Sequence, residues 1–349
     1  MTGEPLTVLS VAYPLAPVGL DAVGGAEQVL SAVDRALVAA GHRSIVVAQE
    51  GSTAAGALLR VPRPTGALDD AARTKAQADT ARAVARALRA ERVDVVHLHG
   101  IDFHSYLPPP GPPVLVTLHL PPAWYPAAAL RPSRPGTWLH GVSASQHAAL
   151  LEARAEPLLP PVPNGVPVEA LGAARHARRP FALALGRVCP EKGQRIALEA
   201  ARAARAPLLI GGQVYPYEVH ERYFAEEVAP LLDRHRRFLG PVGFARKRRL
   251  LAAARCVLVP STAPETSSLV AMEAAACGTP VVAFASGALP EVVEHGRTGF
   301  IVPDAAGMAE AIGRVGALDP EEIRRVARRR FSASRMGGDY LALHRRLAA

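Results

Sequence analysis

Two carboxylates stand eight positions apart around a predicted helix start. The stretch from Pro264 to Ala274 places Glu265 in a loop and Glu273 in the second turn of a helix that begins near Ser268. A Ser or Thr hydroxyl is the expected N-cap. At about 1.5 Å per residue the two backbones lie on the order of 10 Å apart, farther than the roughly 5–5.5 Å between the carboxyl groups of a retaining glycosidase. The pair therefore indicates two ends of one extended ligand, with helix N–H groups available to a phosphate between them.

A second loop carries two cations. Residues 186–193 read Gly-Arg-Val-Cys-Pro-Glu-Lys-Gly and directly follow a strand-like run. Arg187 and Lys192 can neutralise charge on a departing diphosphate, and losing one such donor costs roughly 10²–10³ in rate. Lys75, Lys192 and Lys247 are the only lysines among 40 basic residues, so a lysine at 192 indicates a need for a compact ammonium. Two solvated cations on a turn are the alternative.

Glycines and histidines mark the N-terminal half. Gly24 and Gly25 open a predicted helix after the first strand, where the backbone can approach a donor phosphate, although an ordinary turn is the alternative. Their pattern is not G-x-G-x-x-G, which disfavours a nicotinamide enzyme. His97 and His99 close one strand and His119 closes the next. A His-x-His metal site is conceivable there, but histidines satisfied at strand ends are the ordinary interpretation.

The elements that must position these residues alternate between strand and helix. Apolar, β-branched runs lie at residues 7–12, 44–48, 93–98 and 114–118, and again at 181–185, 207–210, 256–259 and 280–284. Ala-rich helical stretches separate most of them, including residues 26–40 and 71–92, so the pattern predicts two doubly wound α/β domains facing a cleft. We expect the domains at residues 1–167 and 168–330, linked through residues 167–180. Residues 320–347 are predicted as helix with a break near 332–338, and residues 331–349 as a C-terminal helix that can cross back to the N-terminal domain.

Composition narrows the class of protein. The chain has 349 residues, is 49% hydrophobic and carries a net charge of +9. Its basic residues are dispersed and no aromatic residues interleave with them, which disfavours nucleic-acid binding. Arg82, Arg86, Arg89 and Arg92 share one face of a predicted helix, which favours a solvated face and leaves peripheral membrane contact as the alternative. With no apolar run long enough to cross a bilayer and no signal-like N-terminus, we expect a soluble cytoplasmic protein with reduced cysteines.

Together the motifs resemble the family 4 retaining glycosyltransferases, which have the GT-B fold of two Rossmann-like domains. The Glu stretch and the Gly-Arg…Lys-Gly loop are the most specific part of the resemblance. The family's first glycine loop, its His motif and the stretch before its interdomain linker are matched by Val23-Gly24-Gly25-Ala26-Glu27, Asp94-Val95-Val96-His97-Leu98-His99-Gly100 and Pro163-Asn164-Gly165-Val166.

The resemblance implies a role for each donor-site residue. Glu265 would contact the donor sugar and Glu273 the ribose, while Arg187 and Lys192 would hold the diphosphate. The remaining donor-binding candidates are Gly24, Gly25, Gly186, Ser268, Leu269 and Val270. The family commonly has glycines between Glu265 and Leu269, where this chain has Thr-Ser-Ser, and these residues restrict the approach of the backbone.

The acceptor side is less specific in the sequence. The resemblance places His99 at the reaction centre as the candidate protein base, with His119 beside it, and Trp124 in a Pro-rich loop as a candidate for stacking on the acceptor. No Asp-x-Asp motif stands where a cation-dependent transferase needs one, so we expect neither a metal site nor a cofactor, only a nucleoside-diphosphate sugar as co-substrate. A glycan, a lipid-linked intermediate and a small metabolite all stay open as acceptors. The alternatives are a nucleotide-sugar epimerase or hydrolase on the same fold, and a non-catalytic nucleotide-sugar binding protein.

Overall fold

The computed structural model describes residues 4–19, 21–66 and 68–349, and the chain separates into two compact units. The first unit comprises residues 1–164 and 334–349, and the second comprises residues 165–333. The borders expected from the sequence were 167 and 330, against 164 and 333 in the structure. Residues 1–3, at the start of the segment considered for a signal peptide, lie outside the described residues.

The first unit is built around a six-stranded sheet. Its elements are β1 (Thr7–Val11), α1 (Gly25–Ala39), β2 (Arg43–Gln49), β3 (Ala57–Val61), α2 (Asp70–Ala90), β4 (Val95–Leu98), β5 (Val114–Thr117), β6 (Thr137–His140) and α3 (Ala144–Glu152). The strands lie in the order β3-β2-β1-β4-β5-β6 and every neighbouring pair is parallel. This is the order of a Rossmann-type doubly wound sheet.

The second unit repeats the architecture. Its elements are α4 (Val168–Gly172), β7 (Ala182–Leu185), α5 (Gln194–Ala203), β8 (Leu208–Gly211), α6 (Glu218–Tyr223), β9 (Arg236–Phe238), α7 (Phe244–Ala253), β10 (Cys256–Val259), α8 (Leu269–Ala276), β11 (Val281–Phe284), α9 (Leu289–Val292), β12 (Gly299–Val302), α10 (Ala305–Arg314) and α11 (Pro320–Arg330). The strand order is β12-β11-β10-β7-β8-β9, again parallel throughout. Two Rossmann-like units confirm the predicted fold class.

The central strands form because their apolar runs can be buried on both faces. All four residues of β4, β5 and β10 are buried, as expected for parallel strands covered by helices. All eight predicted strand runs are confirmed to within two residues at each end. The predicted start of α2 is also confirmed, since the Asp69 side chain accepts the Ala72 amide as its N-cap. Among the described residues, no helix is both long and apolar enough to cross a membrane.

The C-terminal segment differs from the prediction in one respect. The helical stretch is interrupted only around Phe331 and Ser332, and α12 (Ala333–Ala348) runs through the two glycines that were expected to prolong the break. Gly337 lies against α1 of the first unit, where a Cβ would crowd the Cβ of Ala36. Glycine at this position therefore allows two helices to approach closely, and tertiary packing offsets its low helix propensity.

Candidate functional site

The loops that carry the predicted donor-site motifs leave neighbouring strands of the second sheet. Arg187 and Lys192 follow β7, and Glu265 follows β10, which pairs with β7. Chain order reverses between these two strands. Ligands of open α/β sheets bind outside the carboxyl ends of the strands at such a reversal. The topology therefore brings both motifs to the place in the sheet where ligand binding is expected.

The loop after β7 takes its shape from a glycine. Residues Pro190–Lys192 form one 3-10 turn, and Gly193 is left-handed with φ of 66° before α5 begins. A Cβ at position 193 would collide with the carbonyl oxygen of Pro260, in the loop after β10. The Thr262 amide donates to the carbonyl oxygen of Glu191 at 2.9 Å. Glycine thus allows the two loops to lie against each other.

A partly buried ion pair joins the two motifs. Nζ of Lys192 donates to Oε1 of Glu265 at 2.5 Å, and the Ser261 hydroxyl donates to the same carboxylate oxygen. The Glu265 side chain is 9% exposed and the Lys192 side chain is 30% exposed. Charges that are partly shielded from water interact more strongly than surface charges. The cation and the carboxylate, which the sequence suggested separately, form one constellation.

The loop after β11 fixes the backbone of Glu265. The Ala288 amide donates to the carbonyl oxygen of Glu265 at 2.7 Å, and the Ser286 hydroxyl donates to that of Ala263 at 2.7 Å. Gly287 has φ of 55°, and a Cβ there would collide with the Glu265 backbone. Nothing in the Ser-Gly-Ala sequence distinguishes this loop from an ordinary turn, so its role emerges only from the fold.

Helix α8 begins without a side-chain cap. Ser268 occupies the N-cap position, but its hydroxyl makes no capping hydrogen bond, so the predicted Ser or Thr cap is wrong. Its ψ of 90° differs from the 166° of Ser143, which does cap its helix. The first N–H groups of α8, including those of Leu269 and Val270, therefore do not donate to the Ser268 hydroxyl. The nearby Ser267 hydroxyl is also buried without a hydrogen-bond partner in the described part of the chain. Such a helix start suits an anion.

Glu273 is buried inside the second unit and paired with a lysine. Its side chain is 2% exposed, and Nζ of Lys247 on α7 donates to its Oε1 at 2.5 Å. Lys247 was not predicted as a site residue, because it lies in the run Arg-Lys-Arg-Arg, which resembles a solvated basic surface. A usable signal was present, since the scarcity of lysine that singled out Lys192 applies equally to Lys247.

Arg187 is half-buried and interacts with residues of the two following helices, α5 and α6. Its carbonyl oxygen accepts from Nε2 of Gln194 at 2.7 Å. Burial and the positive charge of Arg187 lower the pKa of His220. Gly186, with φ of 143°, precedes it at the end of β7, and a Cβ on Gly212 would collide with the Gly186 carbonyl oxygen. The glycines let the backbones of the loops after β7 and β8 approach each other, and Arg187 directly follows the point of closest approach.

In the first unit, the predicted glycine loop is occupied by an acidic side chain. Gly24 is the N-cap of α1, and the space beside its Cα is filled by the carboxylate of Glu27 in the first turn. Glu27 is 6% exposed. Acidic groups near a helix N-terminus are stabilising. The glycine at 24 therefore has an explanation within the unit, and Gly25 begins the helix itself.

The predicted histidines form a cluster at the ends of β4 and β5, in which His97 and His99 are buried and His119 is half-buried. Nδ1 of His99 lies 3.0 Å from Nε2 of His119, and the rings of His97 and His99 are 4.0 Å apart. Burial lowers the pKa of His99 well below its usual value, and lowers that of His119 to about 3. Nε2 of His99 is buried without a hydrogen-bond partner among the described residues. Trp124, the acceptor-side candidate, is 40% exposed in a 3-10 turn.

A second set of contacts lies behind this cluster. Nε2 of His97 and Nε2 of His140 each lie 2.7 Å from the Thr117 hydroxyl. Helix α12 contributes two groups, the Tyr340 hydroxyl at 3.3 Å from Thr117 and Nε2 of His344 at 3.2 Å from Nδ1 of His97. Sequence reasoning found His97 and His99 from their strand-end positions but had no signal for the residues on β6 and α12.

Comparison with known families covers most of the chain. Residues 23–169 match the family described as Glycosyltransferase Family 4, and residues 179–317 match the one described as Glycosyl transferases group 1. The chain belongs to glycosyltransferase family 4. The predicted family and fold class are thereby confirmed, and the motifs described above fall within the matched residues.

Relatives of this family 4 glycosyltransferase include two curated bacterial proteins that match part of the chain. A D-inositol 3-phosphate glycosyltransferase from Corynebacterium glutamicum is 35% identical over 150 residues, which is 40% of this chain and 35% of that protein. A phosphatidyl-myo-inositol mannosyltransferase from Mycolicibacterium smegmatis is 34% identical over 178 residues, 47% of this chain and 44% of that protein. The matches thus span less than half the length of these relatives.

A solved structure matches the glycosyltransferase over nearly its whole length. It is a glycosyltransferase involved in avilamycin A biosynthesis, 26% identical, with a TM-score of 0.72 over 99% of this chain and 98% of that one. The likeness extends over both Rossmann-like units. It supports the GT-B class for the entire chain rather than for one matched segment.

Proposed function

We propose that the protein is a retaining hexosyltransferase that moves a sugar from a nucleoside-diphosphate sugar to a hydroxyl acceptor. The observation that carries this proposal is the constellation at the strand reversal of the second unit. There, Lys192 and Glu265 form one pair beside the uncapped start of α8, and Glu273 lies within the same helix. An ammonium, a carboxylate and a helix N-terminus together suit a phosphorylated sugar better than any one of them does alone.

The proposed donor contacts follow the order of the groups along the chain. Glu265 would accept hydrogen bonds from sugar hydroxyls, and Glu273 from the ribose. The diphosphate would take Arg187, Lys192 and the first N–H groups of α8. Because Lys192 is held by Glu265 in this structure, donor binding would replace part of that pairing with phosphate. Its ammonium would then be positioned before the leaving group develops charge.

We propose that transfer proceeds without a metal ion, because two cations and a helix start supply the positive charge. In the retaining reaction, the bond between the anomeric carbon and the diphosphate oxygen breaks. The acceptor oxygen forms its bond on the same face through an oxocarbenium-like transition state. The acceptor proton passes to the departing phosphate oxygen. His99 is the alternative protein base; its lowered pKa keeps it neutral near neutral pH but makes it a weak base, which favours the phosphate oxygen as the proton acceptor.

The acceptor class is suggested by the names of the relatives. One is named for D-inositol 3-phosphate and the other for phosphatidyl-myo-inositol. We therefore propose polyol phosphates, free or lipid-linked, as the first acceptors to be tested. We propose that the sugar transfer takes place in the cytoplasm, where nucleotide sugars are available.

The test begins with the donor. Uridine-, guanosine- and adenosine-diphosphate sugars are screened for thermal stabilisation, and the best one is incubated with and without acceptors. Glycoside formation that requires acceptor supports the proposal. Conversion of the nucleotide sugar without acceptor indicates an epimerase or hydrolase, and binding without any conversion indicates a binding protein.

Variants locate the activity at the proposed site. Lys192→Ala and Glu273→Ala should abolish transfer, whereas Lys75→Ala should leave it intact, because the Lys75 side chain is 71% exposed on α2 of the first unit. Near-normal turnover in both site variants would overturn the assignment of the donor site.

A further inference from the structure

Three side chains that commonly bind metals lie close together at the loop of residues 186–193, which carries Arg187 and Lys192. Cys189 and Glu191 belong to the loop after β7, and His220 lies on α6. One ligand atom from each residue lies within 4.8 Å of the other two. The sequence predicted no metal site, because it has no Asp-x-Asp motif where a cation-dependent transferase needs one. His220 is distant along the chain from Cys189 and Glu191. The fold creates the cluster.

The cluster contains polar groups that lack full hydrogen bonding. Cys189 is completely buried and His220 is 9% exposed. Nδ1 of His220 is buried with no hydrogen-bond partner in the described ranges. The Cys189 thiol donates to the carbonyl oxygen of Arg187 at 3.8 Å, and burial beside the Glu191 carboxylate raises the pKa of the thiol to about 11. A buried polar atom without a hydrogen bond is unfavourable, which makes this position suited to a further ligand.

The ligand types select among metals. A thiolate, an imidazole and a carboxylate match Zn²⁺, whereas Mg²⁺ and Ca²⁺ prefer oxygen ligands alone. A tetrahedral zinc site with bonds of about 2.0–2.3 Å separates its ligand atoms by roughly 3.4–3.6 Å. The present spacing of at most 4.8 Å needs a closure of about 1 Å, which side-chain rotation can supply. The two anionic ligands balance the charge of the ion, so that the nearby Arg187 does not face an uncompensated dication.

We propose that Cys189, Glu191 and His220 bind one Zn²⁺ with a fourth position open to water. The ion displaces the proton of the Cys189 thiol, so each binding event breaks one sulfur–hydrogen bond, forms one zinc–sulfur bond and releases one proton to solvent. Because Cys189 and Glu191 flank Pro190 in the loop that also carries Arg187 and Lys192, zinc ties that loop to α6. This site goes beyond the proposed transferase function and does not depend on it.

The experiment uses Co²⁺ as a spectroscopic substitute for zinc on the intact protein. We expect one Co²⁺ per chain, a thiolate-to-cobalt charge-transfer band, the visible bands of a tetrahedral ion, and displacement by one equivalent of Zn²⁺. Cys189→Ser should lose the charge-transfer band, and His220→Ala should lose tight binding without altering the loop. Calorimetry of zinc binding in buffers of different ionisation enthalpy should report the release of one proton.

Matched controls distinguish this site from adventitious binding. Cys277→Ser removes another buried thiol and His235→Ala removes an exposed imidazole, and both should keep the cobalt spectrum. The absence of a charge-transfer band in the unsubstituted protein would overturn the proposal, as would an unchanged spectrum in Cys189→Ser and His220→Ala. No donor or acceptor is present in these measurements, so their outcome is independent of the transferase assay.

Discussion

Removing Lys247 should destabilise the protein far more than removing any surface lysine. In Lys247→Met the carboxylate of Glu273, 2% exposed, loses its ammonium partner while remaining buried. Breaking a buried ion pair by removing one member typically costs about 3–5 kcal/mol. Lys75 is the control, because its ion pair with Asp79 leaves the lysine 71% exposed, and exposed pairs contribute roughly 0.2–1 kcal/mol.

A double-mutant cycle separates the pair from its surroundings. Glu273→Gln keeps the shape of the side chain and leaves an ammonium that is 12% exposed and can be partly hydrated, so its cost should be smaller. The double variant Lys247→Met with Glu273→Gln should recover much of the loss, since no unpaired buried charge remains. The free energies are measured by urea unfolding followed by circular dichroism. A Lys247→Met variant no less stable than Lys75→Met would refute this account of the pair.

Three further predictions follow from the same geometry. Stability should fall as the pH drops below about 6.5, because burial lowers the folded-state pKa of His140 to about 4 and that of His344 to about 3. Below about pH 6.5 each of these histidines gains protons more readily in the unfolded chain, so each lowers the free energy of unfolding by up to about 1.4 kcal/mol per pH unit. Urea midpoints from pH 7.5 to 4.5 test this, and a flat profile would contradict it. Gly287→Ala should displace Glu265 and lower turnover at least about tenfold; Gly240→Ala is the control, because Gly240 also has a positive φ but a Cβ there would meet no atom within 4 Å. Arg187→Lys should weaken donor binding by losing the planar fork, measured as a rise in Kd, and an unchanged Kd would argue against phosphate contact.

The sequence predicted the strands because buried parallel strands are continuous apolar runs, as β10 shows. It did not predict β3, β6, β9 or β12, which are the four edge strands of the two sheets; β9 (Arg236–Phe238), for example, has three residues, two of them arginine. The loop motifs around Lys192 and Glu265 were recognisable, because cations and carboxylates stood out against a chain rich in Ala and Arg. Their direct pairing required the fold.

Long-range partners account for most of what the sequence left out. Lys247 reaches Glu273 from another helix, and Ala288 holds Glu265 from another loop. The missing cap on α8 depends on one ψ angle at Ser268. None of these relations has a local sequence pattern, because each depends on how the folded elements are arranged.

In the histidine cluster of the first unit, the donor and the acceptor of each hydrogen bond can be assigned. The Gly141 carbonyl can only accept, so the Nδ1 of His140 that lies 2.9 Å from it carries the proton, and its neutral ring must accept from Thr117 through Nε2. Thr117 then accepts from Nε2 of His97, which in turn accepts at Nδ1 from His344.

Each imidazole in this series is thus held in one tautomer, and the series ends at Nδ1 of His344, which has no hydrogen-bond partner among the residues that the structure describes. A proton could pass along it only if all the rings exchanged tautomers together. The hydrogen bonds therefore do not relay protons. They hold the C-terminal helix α12 against the residues next to His99 without supplying that residue with a proton.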